Sequence, residues 1–74
     1  MADEKNQIVL IQFGKRFRQI RRAKDVTLED LANRSGIAYS SIVKLEKGQI
    51  NTGIANVIRL AEALGIDKKE LMDY

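Results

Sequence analysis

From Leu10 the apolar residues fall at Leu10, Phe13, Phe17 and Ile20, three and four positions apart. That spacing predicts an amphipathic helix with one buried stripe and polar, largely basic, residues on its other sides. Gly14 sits inside this helix, where it costs about 1 kcal/mol relative to Ala. It is a candidate for close approach to another helix. Ile8, Val9 and Ile11 lie partly off the stripe and either extend the helix or form a short arm. The polar residues 1–7 read as a flexible N-terminal tail, and residues 8–74 as a single domain.

Asp25 and Val26 break the basic helix. Thr27 reads as an N-cap with Asp30 three residues on, and opens a short helix from about Leu28 to Asn33. Leu28, Leu31 and Ala32 face inward. Ser35 and Gly36 end it, Gly36 in the C′ position that favours positive φ. A third helix runs from near Ala38 to about Lys47 with Ile42 and Leu45 inward, and Gly48 as its cap. Gln49 to Gly53 is a polar loop. A fourth helix, about Ile54 to Leu64, carries Ile54, Val57, Ile58, Ala61 and Leu64 at helical spacing, and Gly65 ends it. Asp67 caps a last short helix from Lys68 to about Asp73. No stretch alternates with period two, so the fold class is all-α.

Size sharpens this picture. At 74 residues a chain buries only about 60% of its unfolded surface, and such domains often lean on disulfides, metals or a partner. Cys and His are absent. That excludes disulfides, Cys/His zinc sites and histidine general bases, and leaves a partner subunit as the staple. No nucleophile–base pair is recognisable, and the Glu29–Asp30 pair suits a helix start, so no enzyme activity, cofactor or metal is expected. The longest apolar run, Ile8 to Ile11, is far short of the roughly 20 residues that span a bilayer. It follows Asp3, Glu4 and Lys5 rather than a basic segment, so neither signal peptide nor membrane anchor is read, and a cytoplasmic location is expected.

Net charge is +3, but it is uneven. Lys15, Arg16, Arg18, Arg21, Arg22 and Lys24 place six basic residues in ten positions. From Lys5 to Lys47 the balance is ten basic to four acidic, and from Gly48 to Tyr74 three to four. One face thus suits a polyanion. The alternative is that the first helix simply solvates itself with charge.

The informative motif is a pair of short helices joined by a tight glycine turn. Ala32, Gly36, Ile42 and Leu45 stand at the offsets of a helix-turn-helix. Ala32 is small where the second helix crosses it, Gly36 makes the turn, and Ile42 with Leu45 buries the inner side of the second helix. Such packing leaves that helix standing proud enough to enter a major groove, about 12 Å wide.

The run Thr27-Leu-Glu-Asp-Leu-Ala-Asn-Arg-Ser-Gly-Ile-Ala-Tyr-Ser-Ser-Ile-Val-Lys-Leu-Glu-Lys-Gly resembles the Cro/repressor-type (XRE) helix-turn-helix family. So do Phe13-Gly-Lys-Arg-Phe-Arg-Gln-Ile-Arg upstream and Leu60-Ala-Glu-Ala-Leu-Gly-Ile downstream. The resemblance covers about Phe13 to Leu71. It implies a five-helix, lambda-repressor-like DNA-binding domain, and a regulator of transcription that is commonly dimeric. It implies base reading from Ala38, Tyr39, Ser40 and Lys44, in a helix of about residues 38–47. It implies phosphate contacts from Thr27 and Leu28 and from Gln49, Asn51 and Thr52. Leu28 stands where the family often has Gln; it is expected to pack, leaving its backbone amide and Thr27 to the phosphate. The family also implies a partly buried ion pair between Arg21 and Glu46, which fixes a helix angle rather than adding net stability.

Arg22 and Lys24 are the basic residues best placed for phosphate. Tyr39 is either a base reader or an aromatic lid on the core. Ile66, Leu71, Met72 and Tyr74 either form a dimer seam, the preferred reading, or close a small core. The expected partner is double-stranded DNA with a two-fold operator, bound by a homodimer. The competing function is a protein-binding module, antitoxin-like or adaptor, that uses the C-terminal apolar surface.

Overall fold

The computed structural model describes residues 2–72, with side chains from residue 6 onward. It is all-helical over those residues: α1 (Ala2–Ala23), α2 (Leu28–Ser35), α3 (Tyr39–Glu46), α4 (Ile54–Leu64) and α5 (Lys68–Met72). Residues 2–7, expected as a tail, continue α1. The segment holds good helix formers and neither Gly nor Pro, so nothing in it stops the helix. The run Ile8 to Ile11 accordingly extends the helix and makes no separate arm.

α1 closes through a left-handed residue that is not glycine. Asp25 has φ of 57°. The amide of Val26 donates to Arg21 O at 3.2 Å and that of Asp25 to Arg22 O at 3.0 Å. This is the doubled hydrogen bond of a Schellman ending. It turns Val26 into the core, where it is buried.

α2 is capped at both ends. Thr27, with extended backbone, accepts a bond from Asp30 N–H at 3.0 Å through Oγ1. Gly36 has φ of 75° and its amide donates to Ala32 O at 3.0 Å. This ending lets α2 run on to Ser35, two residues past the expected Asn33. α4 spans Ile54–Leu64 as the spacing predicts. At the start of α5, Lys69 N–H donates to Asp67 Oδ1 at 2.9 Å.

The core gathers Phe13, Phe17 and Ile20 of α1 with Val26, Leu31, Ile42, Leu45, Val57, Leu60, Ala61, Leu64 and Leu71. Phe13 and Phe17 stack with ring centroids 6.4 Å apart. α2 packs on α3 and α4; α1 packs on α3 and α5; α4 packs on α5. α3 is therefore held from two sides, by α1 and α2. Among the described residues no helix is long and apolar enough to cross a membrane.

Candidate nucleic-acid interface

α3 is anchored along its inner side. Ile42 and Leu45 are buried in the core. α1 crosses the C-terminal end of α3 at Gly14, where an added Cβ would stand 2.6 Å from the carbonyl oxygens of both Leu45 and Glu46. Just beyond, a Cβ on Gly48 would lie 2.7 Å from Ile11 Cγ1 and 2.8 Å from its Cα. The backbones of α1 and the α3 terminus touch there, and only glycine leaves room. Gly14 is thus the close approach that its place in an amphipathic helix suggests.

The same crossing holds a partly buried ion pair. Arg21 Nε donates to Glu46 Oε2 at 2.6 Å and its Nη2 to Oε1 at 3.3 Å. Arg21 Nη1 donates to Val26 O at 2.8 Å. One guanidinium therefore ties the end of α1, the turn after it and the end of α3. The Glu46 side chain is only 8% exposed. A two-pronged pair of this kind constrains orientation as well as distance. Arg18 Nε lies 4.0 Å from Glu46 Oε1 at the solvent edge of the pair.

The outer side of α3 is open. Ala38, its N-cap residue, has no side-chain capping bond. Ala38, Tyr39, Ser40 and Lys44 are all exposed. Tyr39 is 52% exposed, which removes the reading of it as a lid on the core. The turn into α3 is braced by Ser35, whose Oγ accepts from Ile37 N–H at 3.1 Å. Ile37 packs against the core.

The phosphate candidates flank this surface. Asn51 and Thr52 line one crevice with Ser41 and Ile37, so the loop after α3 lies beside its first turns. Gln49 is exposed. Thr27 is exposed at the start of α2; because its Oγ1 accepts the capping bond, its hydroxyl hydrogen is left to donate outward. Leu28 packs half-buried on the core, which leaves its backbone amide at that helix start. Arg22 and Lys24 are exposed on the last turn of α1 and just beyond. Arg16 has another use: its Nε donates to Glu70 O at 3.2 Å and links α1 to α5.

The C-terminal seam needs correction. Leu71 is fully buried within the single chain and closes the core beneath α1, so it has no surface to offer a partner. Ile66 is half-buried against the same core. Met72 is 48% exposed, and Tyr74 lies outside the described residues. Sequence reasoning missed the groove that Met72 shares with Val9, Leu10, Phe13, Ile50 and Val57. Its signal was present: Val9 is an apolar residue partly off the stripe of α1, beside Leu10 where the stripe begins. It went unused because the role of that first turn depends on where α5 lands.

The family model described as a helix-turn-helix domain matches residues 14–73. The control protein C.BamHI of Bacillus amyloliquefaciens is 34% identical over 70 residues, 93% of this chain and 85% of that protein. An uncharacterized HTH-type transcriptional regulator of Sinorhizobium fredii is 36% identical over 59 residues, 80% of this chain and 77% of that one. The crystal structure of the restriction-modification controller protein C.AhdI from Aeromonas hydrophila superposes with a TM-score of 0.85 at 40% identity, over 88% of this chain and 94% of that one.

Proposed function

This chain belongs to the helix-turn-helix family of DNA-binding transcription regulators, and we propose that it acts as a homodimer on a two-fold operator with α3 in the major groove. One observation carries the reading. α3 is buried and crossed on one side, while Tyr39, Ser40 and Lys44 stand free on the other. Tyr39 and Ser40 offer hydrogen bonds to base edges, and Lys44 donates to guanine O6 or N7. Ala38 lets the groove wall approach. Thr27, the Leu28 amide, Gln49, Asn51 and Thr52 hold phosphates on the flanks, with Arg22 and Lys24 adding charge. The groove at Val9 and Met72 offers an apolar surface to a second copy. Repression or recruitment by such a dimer is steric, on two half-sites about one helical turn apart. Likeness to the restriction-modification controller protein C.AhdI makes the regulation of restriction-modification genes, in the cytoplasm, the setting we favour.

The test is selection of bound duplexes from a random pool, followed by Tyr39→Ala and Lys44→Ala. Each change is expected to cost about 1–3 kcal/mol on the selected site and much less on unrelated DNA. An equal loss on every sequence would reject the base-reading assignment. Affinity should also fall with salt at a log–log slope near −0.9 per phosphate neutralised. Sedimentation of the complex should give two protomers per site; a lone protomer on a single half-site would reject the two-fold part.

A further inference from the structure

The register of α3 points to a reading residue that lies outside the set above. Ile42 and Leu45 mark the inward direction. A helix turns by about 100° per residue, so the opposite side carries Ser40, Val43, Lys44 and Lys47. Ser40, Lys44 and Lys47 are exposed there, and Val43 is half-buried. Val43 is not one of the side chains that form or pad the core cluster. Tyr39 and Lys47 stand four residues before and after it, and so border it on the helix surface.

Val43 is half-buried yet belongs to no part of the core cluster, and the rest of its surface is open between Tyr39 and Lys47. Valine is a weaker helix former than Ala or Lys, and it neither donates nor accepts a hydrogen bond. Facing a major groove, it is blind to the donors and acceptors that distinguish most base edges. The one apolar feature there is the C5-methyl group of thymine. We infer that Val43 is a specificity-determining residue that packs on a thymine methyl, once per half-site, beside the bases read by Ser40 and Lys44.

This assignment rests on the placing of α3 in the major groove, and its test separates the two. Each thymine of the selected duplex is replaced in turn by deoxyuridine, which removes the methyl and leaves base pairing intact. The unaltered protein should lose about fourfold in affinity at one thymine per half-site, the size expected for one buried methyl. Val43→Ala should bind the thymine and uracil duplexes equally at that position, with the responses at other positions unchanged. Ala favours the helix, and a thermal melt checks that the variant is folded. Three results overturn the assignment: uracil tolerated everywhere by the unaltered protein, a uracil penalty that survives in Val43→Ala, or a selected half-site without thymine. Failure to enrich any duplex overturns the groove placement as well; enrichment with uracil tolerance overturns only the role of Val43.

Discussion

The two sides of α3 follow opposite rules. Its inner side has no slack. Ile42 and Leu45 are buried, Gly14 and Gly48 admit no Cβ, and Glu46 is held by two guanidinium nitrogens. Its outer side is open except at the half-buried Val43. Tyr39, Ser40 and Lys44 are exposed, and Ala38 at the N-cap has no side-chain capping bond. Stability therefore collects on one side, and the proposed choice of DNA sequence falls to the other. Substitution on the inner side should change folding; substitution on the outer side should change binding and leave folding within about 0.5 kcal/mol.

The harshest test of that division is Gly14→Ala. In the interior of an exposed helix this exchange stabilises by about 1 kcal/mol. Here the new Cβ meets two backbone carbonyl oxygens, which do not move aside as a side-chain tip would. The sign should reverse, with a loss of about 3 kcal/mol, the upper range for overpacking. A domain of this length holds only about 4–11 kcal/mol in all, so urea denaturation will show a large fall in midpoint. A midpoint that stayed or rose would mean that α1 and α3 are further apart than the crossing requires.

The ion pair sharpens the comparison, because it lies on the inner side yet bears on the outer one. Glu46→Leu alone leaves Arg21 buried without its partner and should cost about 3 kcal/mol. Arg21→Met together with Glu46→Leu removes both charges. It should recover most of that, short of about 1 kcal/mol for the Val26 carbonyl that loses the Arg21 donor. Thermal melts of the two single variants and the double variant measure this coupling. If the pair sets the angle of α3, the double variant folds but binds the operator more weakly. Unchanged operator affinity in the double variant would remove that role.

Much of the inner side was legible from residue spacing. The stripe from Leu10 to Ile20, the inward pair Ile42 and Leu45, the caps at Thr27 and Asp67, and Gly36 after α2 are all local signals, set by helical period and capping chemistry. Leu71 was misread because a terminal apolar residue looks the same whether it turns to its own core or to a partner. Only the packing of α5 on α1 and α4 decides. In the sequence Val26 reads as a break alone, since the burial of a residue just after a helix depends on the left-handed Asp25 that precedes it. Arg16 looked like surface charge because its acceptor, Glu70 O, is distant in sequence. The outer side is legible only as a frame. Helical period says which residues stand out from α3; which bases the proposed readers would meet depends on a surface the chain does not contain.

Thr27 lies on the border between the two sides, and the smallest expected change in stability is the most informative about it. Its hydroxyl caps α2 through Asp30 N–H and is exposed to a passing phosphate. Thr27→Ala removes both roles at once, with a loss of about 1 kcal/mol for the cap. Thr27→Asp separates them. Aspartate caps at least as well as threonine, and its charge suits a helix N-terminus. Folding should therefore stay within about 0.5 kcal/mol of the starting protein. The same carboxylate repels phosphate, so DNA affinity should fall about tenfold at low salt and by less as salt screens the charge. Thermal melts and binding isotherms at two salt concentrations read the two effects independently. Preserved stability with preserved affinity would assign Thr27 to the inner side alone, and would leave the Leu28 amide as the phosphate contact at that helix start.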